Sequence, residues 1–277
     1  MNPLVEHIIA ELHDFYPEYE LRELALWVVE EATGQSRFDI LTDCKGTQNI
    51  PDIEIILHKL RLHEPVQYVF EHAMWMGLDL RVTPATLIPR PETAELVEWV
   101  LQRFDMPKSS ISSEEMRLLD IGTGSGCIAL AVKRHRPQWQ VTGIDCSGDA
   151  LRVAQENAVR NHLLVNWLQK DIFTDEIGSF DIIVSNPPYV CEHEKADMSA
   201  RVLNYEPASA LFVPDEDPLR YYRTIATLKK SRHLFFEINE AYGDDVCRLL
   251  NESGYTDIEL KHDMYGKSRM VYGRIAE

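Results

Sequence analysis

The five cysteines of this chain (Cys44, Cys127, Cys146, Cys191 and Cys247) are scattered, and none forms a Cys-x-x-Cys pair. That argues against a structural zinc site and against a disulfide framework, so reduced thiols and no metal are expected. No apolar run approaches the ~20 residues that a membrane-spanning helix needs. The first twenty residues carry acids and lack the basic-then-apolar order of a secretion signal, which predicts a cytoplasmic protein. A Lys/Arg block is missing too: 45 Asp/Glu stand against 28 Lys/Arg, for a net charge of −17. Duplex nucleic acid is usually held by a basic stripe that displaces counterions, so direct nucleic-acid binding is not expected, whereas a basic protein partner is compatible. There is no internal repeat and no low-complexity stretch.

A chain of 277 residues can bury a sizeable core and predicts two domains. Residues 1–64 read as a helical domain. Leu4, Ile8, Leu12 and Phe15 recur at helical spacing until Pro17, and Leu21, Leu24, Ala25, Val28 and Val29 repeat the pattern up to Gly34. Pro51-Asp52 opens a further helix with Ile53, Ile56, Leu57 and Leu60 on one face. Met1 to Trp75 holds 14 Asp/Glu against 5 Lys/Arg, and its histidines (His7, His13, His58, His63, His72) lie at no metal-ligand spacing. An acidic helical bundle with no catalytic constellation reads as a docking module. Residues 65–92 read as a hairpin and linker, pairing the β-prone segments 65–70 and 78–82. Thr93 or Glu92 is expected to cap the next helix, and residues 105–115 read as a surface loop.

From Met116 strands and helices alternate. Strands are expected at 117–121, 141–145, 165–168, 180–185, 233–238, 256–261 and 269–273. The helices between them begin near Ile128, Ala150, Pro218 and Tyr242. Such alternation implies an α/β domain over residues 93–277, with a mostly parallel sheet covered on both faces. The last two strands are close enough in sequence to form an antiparallel pair.

Three groups of residues carry chemistry. Gly122-Thr123-Gly124-Ser125-Gly126 ends the first strand of the α/β part. Glycines let a backbone turn at positive φ and approach a ligand closely, although the spacing is not that of a dinucleotide turn. Asp145 ends the second strand, where it either accepts from two ribose hydroxyls or caps the following helix. Asp171-Ile172 ends the third, as an acceptor and apolar face for an adenine or as a plain turn. The most informative stretch is Ser185-Asn186-Pro187-Pro188-Tyr189-Val190. Two prolines cannot continue a ladder, so the strand 180–185 must deliver a stiff loop. That loop is either a simple proline turn or a grip for a flat nitrogen group, with carbonyl oxygens accepting its N–H protons and the Tyr189 ring against its plane.

Taken together these features resemble the class I S-adenosylmethionine-dependent methyltransferases. Pro65-Val66-Gln67-Tyr68, Ile88-Pro89-Arg90-Pro91-Glu92-Thr93, the glycine turn, Asn186-Pro187-Pro188-Tyr189 and Tyr205-Glu206-Pro207 follow in order. The chain is thereby similar to the protein-(glutamine-N5) methyltransferases of peptide chain release factors. The resemblance implies a Rossmann-like sheet of seven strands, the last antiparallel, plus a small N-terminal helical bundle joined by a β-hairpin. It implies S-adenosylmethionine held by Gly122, Thr123, Gly124, Ser125, Gly126, Asp145, Asp171, Ile172 and Asn186. The substrate, a glutamine in a Gly-Gly-Gln-type motif of a release factor, would be held by Asn186, Pro187, Pro188 and Tyr189, with Asn186, Pro187 and Tyr189 catalytic. Two departures, Ala94 and the turn Pro214-Asp215-Glu216-Asp217-Pro218, bear on the substrate-side rim. Arg90 and Glu92 either touch ligand or brace the junction, with bracing favoured. The Asn-Pro-Pro-Tyr loop is shared with adenine N6 methyltransferases of RNA or DNA, which stand as the alternative. A nicotinamide dehydrogenase lacks its glycine spacing here, and a pure binding protein would need neither loop.

Overall fold

The computed structural model describes residues 2–42, 50–104 and 115–275; Cys44 and most of the expected 105–115 loop lie outside these. The contacts divide the chain into two compact units, Met1–His72 with Ser199–Tyr205, and Ala73–Met198 with Glu206–Glu277. No described helix is long and apolar enough to cross a membrane.

The first unit is helical: α1 (Pro3–Leu12), α2 (Glu18–Thr33), α3 (Arg37–Thr42), α4 (Ile53–Arg61) and the single turn α5 (Val66–Val69). Asn2 caps α1, its Oδ1 accepting from the Leu4 N–H at 3.0 Å, and Pro3 fills the first helical position. Gly34 stops α2 as expected, in the left-handed region at φ +68° with its N–H on the Glu30 carbonyl. Val5, Ile8, Leu12, Leu21, Ala25, Val28, Leu57 and Leu60 form the core. Phe15 departs from the expected stripe. The helix ends at Leu12, the 3.6-residue phase is lost, and Tyr16 goes inside instead, donating to the Leu60 carbonyl at 2.7 Å while Phe15 stays 41% exposed. The segment 199–205, read in sequence as part of the α/β region, returns to this unit. There Arg201 pairs with Glu20 at 2.7 Å and the Tyr205 hydroxyl donates to the Leu62 carbonyl.

The expected pairing of 65–70 with 78–82 is corrected. Pro65 starts a helical turn, its carbonyl accepting from Tyr68 and Val69, and this overrides the β-propensity of Val66, Tyr68 and Val69. The hairpin is formed by β1 (Ala73–Trp75) and β2 (Leu78–Leu80). Its loop, Met76-Gly77, has φ of +48° and +73°, the two positive values that let a two-residue turn follow the strand twist.

The second unit continues with α6 (Pro91–Arg103), β3 (Arg117–Ile121), α7 (Cys127–His135), β4 (Gln140–Asp145), α8 (Gly148–Arg160), β5 (Asn166–Gln169) and β6 (Phe180–Ser185). A short ribbon follows from β7 (Val190–Cys191) and β8 (Phe212–Val213), on either side of α9 (Ala200–Tyr205) of the first unit. Then come α10 (Arg220–Leu228), β9 (Ser231–Glu237), α11 (Gly243–Glu252), β10 (Thr256–His262) and β11 (Ser268–Arg274). Seven strands make one sheet in the order β10-β11-β9-β6-β3-β4-β5; β11 is antiparallel to both neighbours, while β9, β6, β3, β4 and β5 run parallel. Successive strand side chains point to opposite faces. Leu118, Ile182, Phe235 and Tyr272 therefore enter one core with α6 and α7, and Leu119, Ile183, Phe236 and Val271 enter another with α10 and α11. Burial on both faces is why these strands read as continuous apolar runs.

Candidate active site

Connections leave β3 toward β4 and β5 on one side and return to β6 and β9 on the other. An open α/β sheet binds ligands outside the carboxyl ends of its strands at such a switch point. β3 and β6 are adjacent there, with Ile121 opposite Ser185, so the glycine turn and Asn186 emerge side by side. The Ser185 hydroxyl ties the two ends by donating to the Ile121 carbonyl at 2.7 Å.

Gly122 and Gly124 have φ of +72° and +53°. A Cβ on Gly124 would meet no atom within 4 Å, and one on Gly122 only the Asn186 carbonyl at 4.0 Å. Their bare backbone thus faces open space. The turn is pinned from both sides. Buried Asp120 accepts from the Thr123 hydroxyl at 2.5 Å and from the Ala129 N–H at 3.2 Å, and burial pushes its carboxyl up to about 7. Asp145 accepts from the Gly124 N–H and the Ser147 N–H, each at 2.9 Å; burial raises its pKa, opposed by these backbone donors.

A cavity of about 350 Å³ lies over these strand ends, within the range of small-molecule sites. Gly122, Thr123, Gly124, Ser125, Asp145, Asp171, Ile172, Asn186, Pro187 and Pro188 all line it. One Asp171 oxygen also closes its own turn, accepting from the Phe173 N–H at 2.9 Å. Two expected contacts fall outside the lining. A Cβ on Gly126 would come within 2.8 Å of the Trp167 ring and 3.1 Å of the Ala154 Cβ, so this glycine serves the packing of helix on strand. Tyr189 packs beside the second core and directs its hydroxyl to Glu237 Oε1 at 3.2 Å. Gly126→Ala is therefore expected to destabilise the fold by ~1–3 kcal/mol or more, through overpacking and through a Cβ at φ +81°. Urea unfolding measures this, with donor affinity largely kept in the folded fraction.

The Asn186 side chain donates through Nδ2 to Thr93 Oγ1 at 3.2 Å, and Thr93 donates to Glu237 Oε2 at 2.7 Å. The expected cap at Thr93 or Glu92 is thus corrected. Arg90 is the N-cap of α6 and, having donors only, makes no side-chain capping bond, while the Thr93 hydroxyl donates to Glu237. Arg90 also lines the cavity, yet its guanidinium pairs with buried Glu206, whose other oxygen accepts from the Ile88 N–H at 3.2 Å. Two motifs more than a hundred residues apart are thereby fastened together. In the departing turn, Asp215 accepts from the His193 N–H at 3.1 Å and contacts its Nδ1 at 2.8 Å, and Asp217 pairs with Arg223.

A family described as "Methyltransferase small domain" matches residues 100–211. Over 98% of its length the chain is 41% identical to the release factor glutamine methyltransferase of Bacteroides thetaiotaomicron, covering 99% of that protein. It is 42% identical to the protein of the same name from Flavobacterium psychrophilum, with 95% of each covered. The chain belongs to the release factor glutamine methyltransferase family. It is a methyltransferase. Among solved structures, the human METTL16 catalytic domain bound to an RNA hairpin of the MAT2A 3′UTR shares the fold, with a TM-score of 0.56, 17% identity, and 73% of this chain and 77% of that one covered.

The cavity and its surroundings contain groups that the sequence reading passed over. Arg220 and Tyr221, at the start of α10, line the cavity; Tyr221 meets the Phe173 ring at 4.9 Å, and Arg220 lies over that ring at 4.4 Å. Glu206 was read only within a motif, with no role, and Glu237 was missed. Each is an acid in a setting that excludes water, and for Glu237 the signal was present: a carboxylate inside Leu234-Phe235-Phe236-Glu237-Ile238 is costly without partners.

Proposed function

We infer that the chain transfers a methyl group from S-adenosylmethionine to the side-chain amide nitrogen of a glutamine in a peptide chain release factor, in a Gly-Gly-Gln-type motif. Family membership at about 40% identity over nearly the whole chain is the observation that carries this reading. The cavity fits such a donor. Gly122 and Gly124 offer bare backbone, Asp145 keeps lone pairs for two ribose hydroxyls, and Asp171 and Ile172 offer an acceptor and an apolar face to an adenine. When bound, the donor supplies a sulfonium methyl that needs no acid to activate it.

A glutamine nitrogen is a poor nucleophile because its lone pair is delocalised into the carbonyl. The chain's task is then positioning and exclusion of water. Asn186 Oδ1 and the Pro187 carbonyl accept the two amide protons and aim the nitrogen at the methyl. Nδ2 of Asn186 is already engaged by Thr93, which leaves Oδ1 for the substrate. Pro188 walls the site, and Tyr189 backs the loop with its ring. Once methylated the nitrogen is strongly acidic and gives its extra proton to water, so the role needs no dedicated base.

Incubation with release factor, RNA and isotopically labelled donor, followed by peptide mapping and counting of the RNA, tests the reading. Label on a single glutamine side chain is expected; label in RNA and none in the protein would favour the adenine reading.

In this reading residues 1–64 are the docking domain, residues 65–92 the linker, and residues 93–277, apart from the returning segment 199–205, the catalytic domain. An acidic docking surface works through long-range attraction, which salt screens. The triple change Glu18→Gln, Asp52→Asn, Glu54→Gln is expected to raise KM for intact release factor about five-fold and flatten its salt dependence, with donor affinity unchanged. All three side chains are exposed. An unchanged KM and salt slope would remove the docking role from this surface. Working on a translation protein, the enzyme would act in the cytoplasm.

A further inference from the structure

Glu237 is 1% exposed, at the end of a strand whose preceding residues Leu234, Phe235 and Phe236 are all core. Its oxygens accept from Thr93 Oγ1 and from the Tyr189 hydroxyl, and Thr93 Oγ1 in turn accepts from Asn186 Nδ2. A hydroxyl has one proton. An ionised carboxylate only accepts, so the Thr93 proton is committed to Glu237 and Thr93 offers Asn186 nothing but lone pairs. Only the NH2 end of the Asn186 amide satisfies that, and its oxygen must turn the other way, to the cavity that Asn186 lines.

We propose that Glu237, acting through the Thr93 hydroxyl, sets which end of the Asn186 amide faces the substrate, making Glu237 and Thr93 positioning residues for methyl transfer. The inference rests on the amide-gripping role given to Asn186 above. It assigns a task to the threonine of the Arg-Pro-Glu-Thr segment and to an acid that makes no contact with the cavity.

The device depends on charge. Burial pushes Glu237 up to about 7; the Thr93 bond, Arg269 and the Tyr189 bond pull it down, and Glu92 adds to the rise. The groups facing it are Thr93 and Glu92 from α6, Tyr189 after β6, and Arg269 from β11. Tyr222 of α10 donates to its carbonyl, and Cys127 of α7 lies within electrostatic range. Arg269 is held by Asp263 at 3.1 Å. Burial raises the Tyr189 and Tyr222 phenols and pushes the Cys127 thiol up to about 12, so all three stay protonated. Glu237 is the member of this cluster that changes charge near neutrality. Once protonated it can donate to Thr93, whose own proton then turns to Asn186 and draws the amide oxygen away from the cavity. Turnover therefore falls as pH drops through about 7.

The test measures kcat on a glutamine peptide with the full chain from about pH 5.5 to about 9. Saturating donor removes effects of Asp120, which titrates in the same range, on donor binding. Thr93→Val is expected to lower kcat roughly 10-fold with donor affinity kept and the melting temperature lowered, since buried Glu237 loses a donor, and Thr93→Ser to restore both, kcat to within about two-fold. The acid limb near 7 is expected in the wild type and Thr93→Ser and lost in Glu237→Gln. Wild-type kcat in Thr93→Val, an equal loss in Thr93→Ser, or an unchanged limb in Glu237→Gln would each overturn the relay. Asn186→Ala, run beside them, separates the two readings. If it turns over normally the amide grip itself fails; if it is slow while Thr93→Val is normal, only the relay fails.

Discussion

Replacing Asn186 with alanine lowers turnover by ~10²-fold or more and leaves the affinity for S-adenosylmethionine within about two-fold, as expected when a hydrogen bond made in the transition state is lost. The size follows from the task. The side-chain oxygen restrains a nitrogen that must give up conjugation as the new bond forms, so its contribution grows along the reaction. Donor affinity survives because the turn at 122–126 is held by its own bonds to Asp120, Asp145 and the Ile144 carbonyl. Single-turnover rates with pre-bound donor, together with calorimetric titration of the donor, separate the two quantities. Normal turnover would remove the role.

Asp145→Ala has the opposite signature. Each oxygen of this carboxylate already accepts one backbone N–H, from Ser147 and from Gly124, and each keeps a lone pair. Hydrogen bonds to a charged acceptor contribute about 1.5–3 kcal/mol. Losing those to the ribose and loosening the Gly124 turn together raise the donor Kd by roughly 100-fold, while kcat at saturating donor stays within a few-fold. Titration calorimetry reads the first and saturation kinetics the second. An unchanged Kd would reduce Asp145 to a clamp on its own turn.

Much of the architecture was legible because the sheet is buried on both faces. β6 coincides with the run read from Phe180 to Ser185, and its end is dictated by two prolines that cannot donate to a ladder. The glycine turn was legible for a similar reason, since three alternating glycines at positive φ leave few other structures. Propensity and periodicity failed at two local breaks, and local signals fell short for the cap, the cradle and Arg90, where a neighbour distant in sequence decided. Pro65 converted a β-prone segment into a helical turn, and the end of α1 at Leu12 moved burial from Phe15 to Tyr16. Thr93 looked like a cap because the acid that claims it lies 144 residues downstream. Gly126 looked like part of the ligand cradle, whereas its missing Cβ makes room for Trp167 from β5. Arg90 was open in sequence; its partner Glu206 belongs to a motif with no spacing relation to it.

The central claim is that a stiff loop grips an amide beside the methyl donor, and a ternary crystal structure with S-adenosylhomocysteine and a glutamine peptide tests it most directly. The account predicts the glutamine nitrogen about 3–3.5 Å from where the transferred methyl would sit, with its two N–H groups near 2.9 Å from Asn186 Oδ1 and the Pro187 carbonyl. A peptide bound elsewhere, or a donor sulfur remote from Asn186, would contradict it.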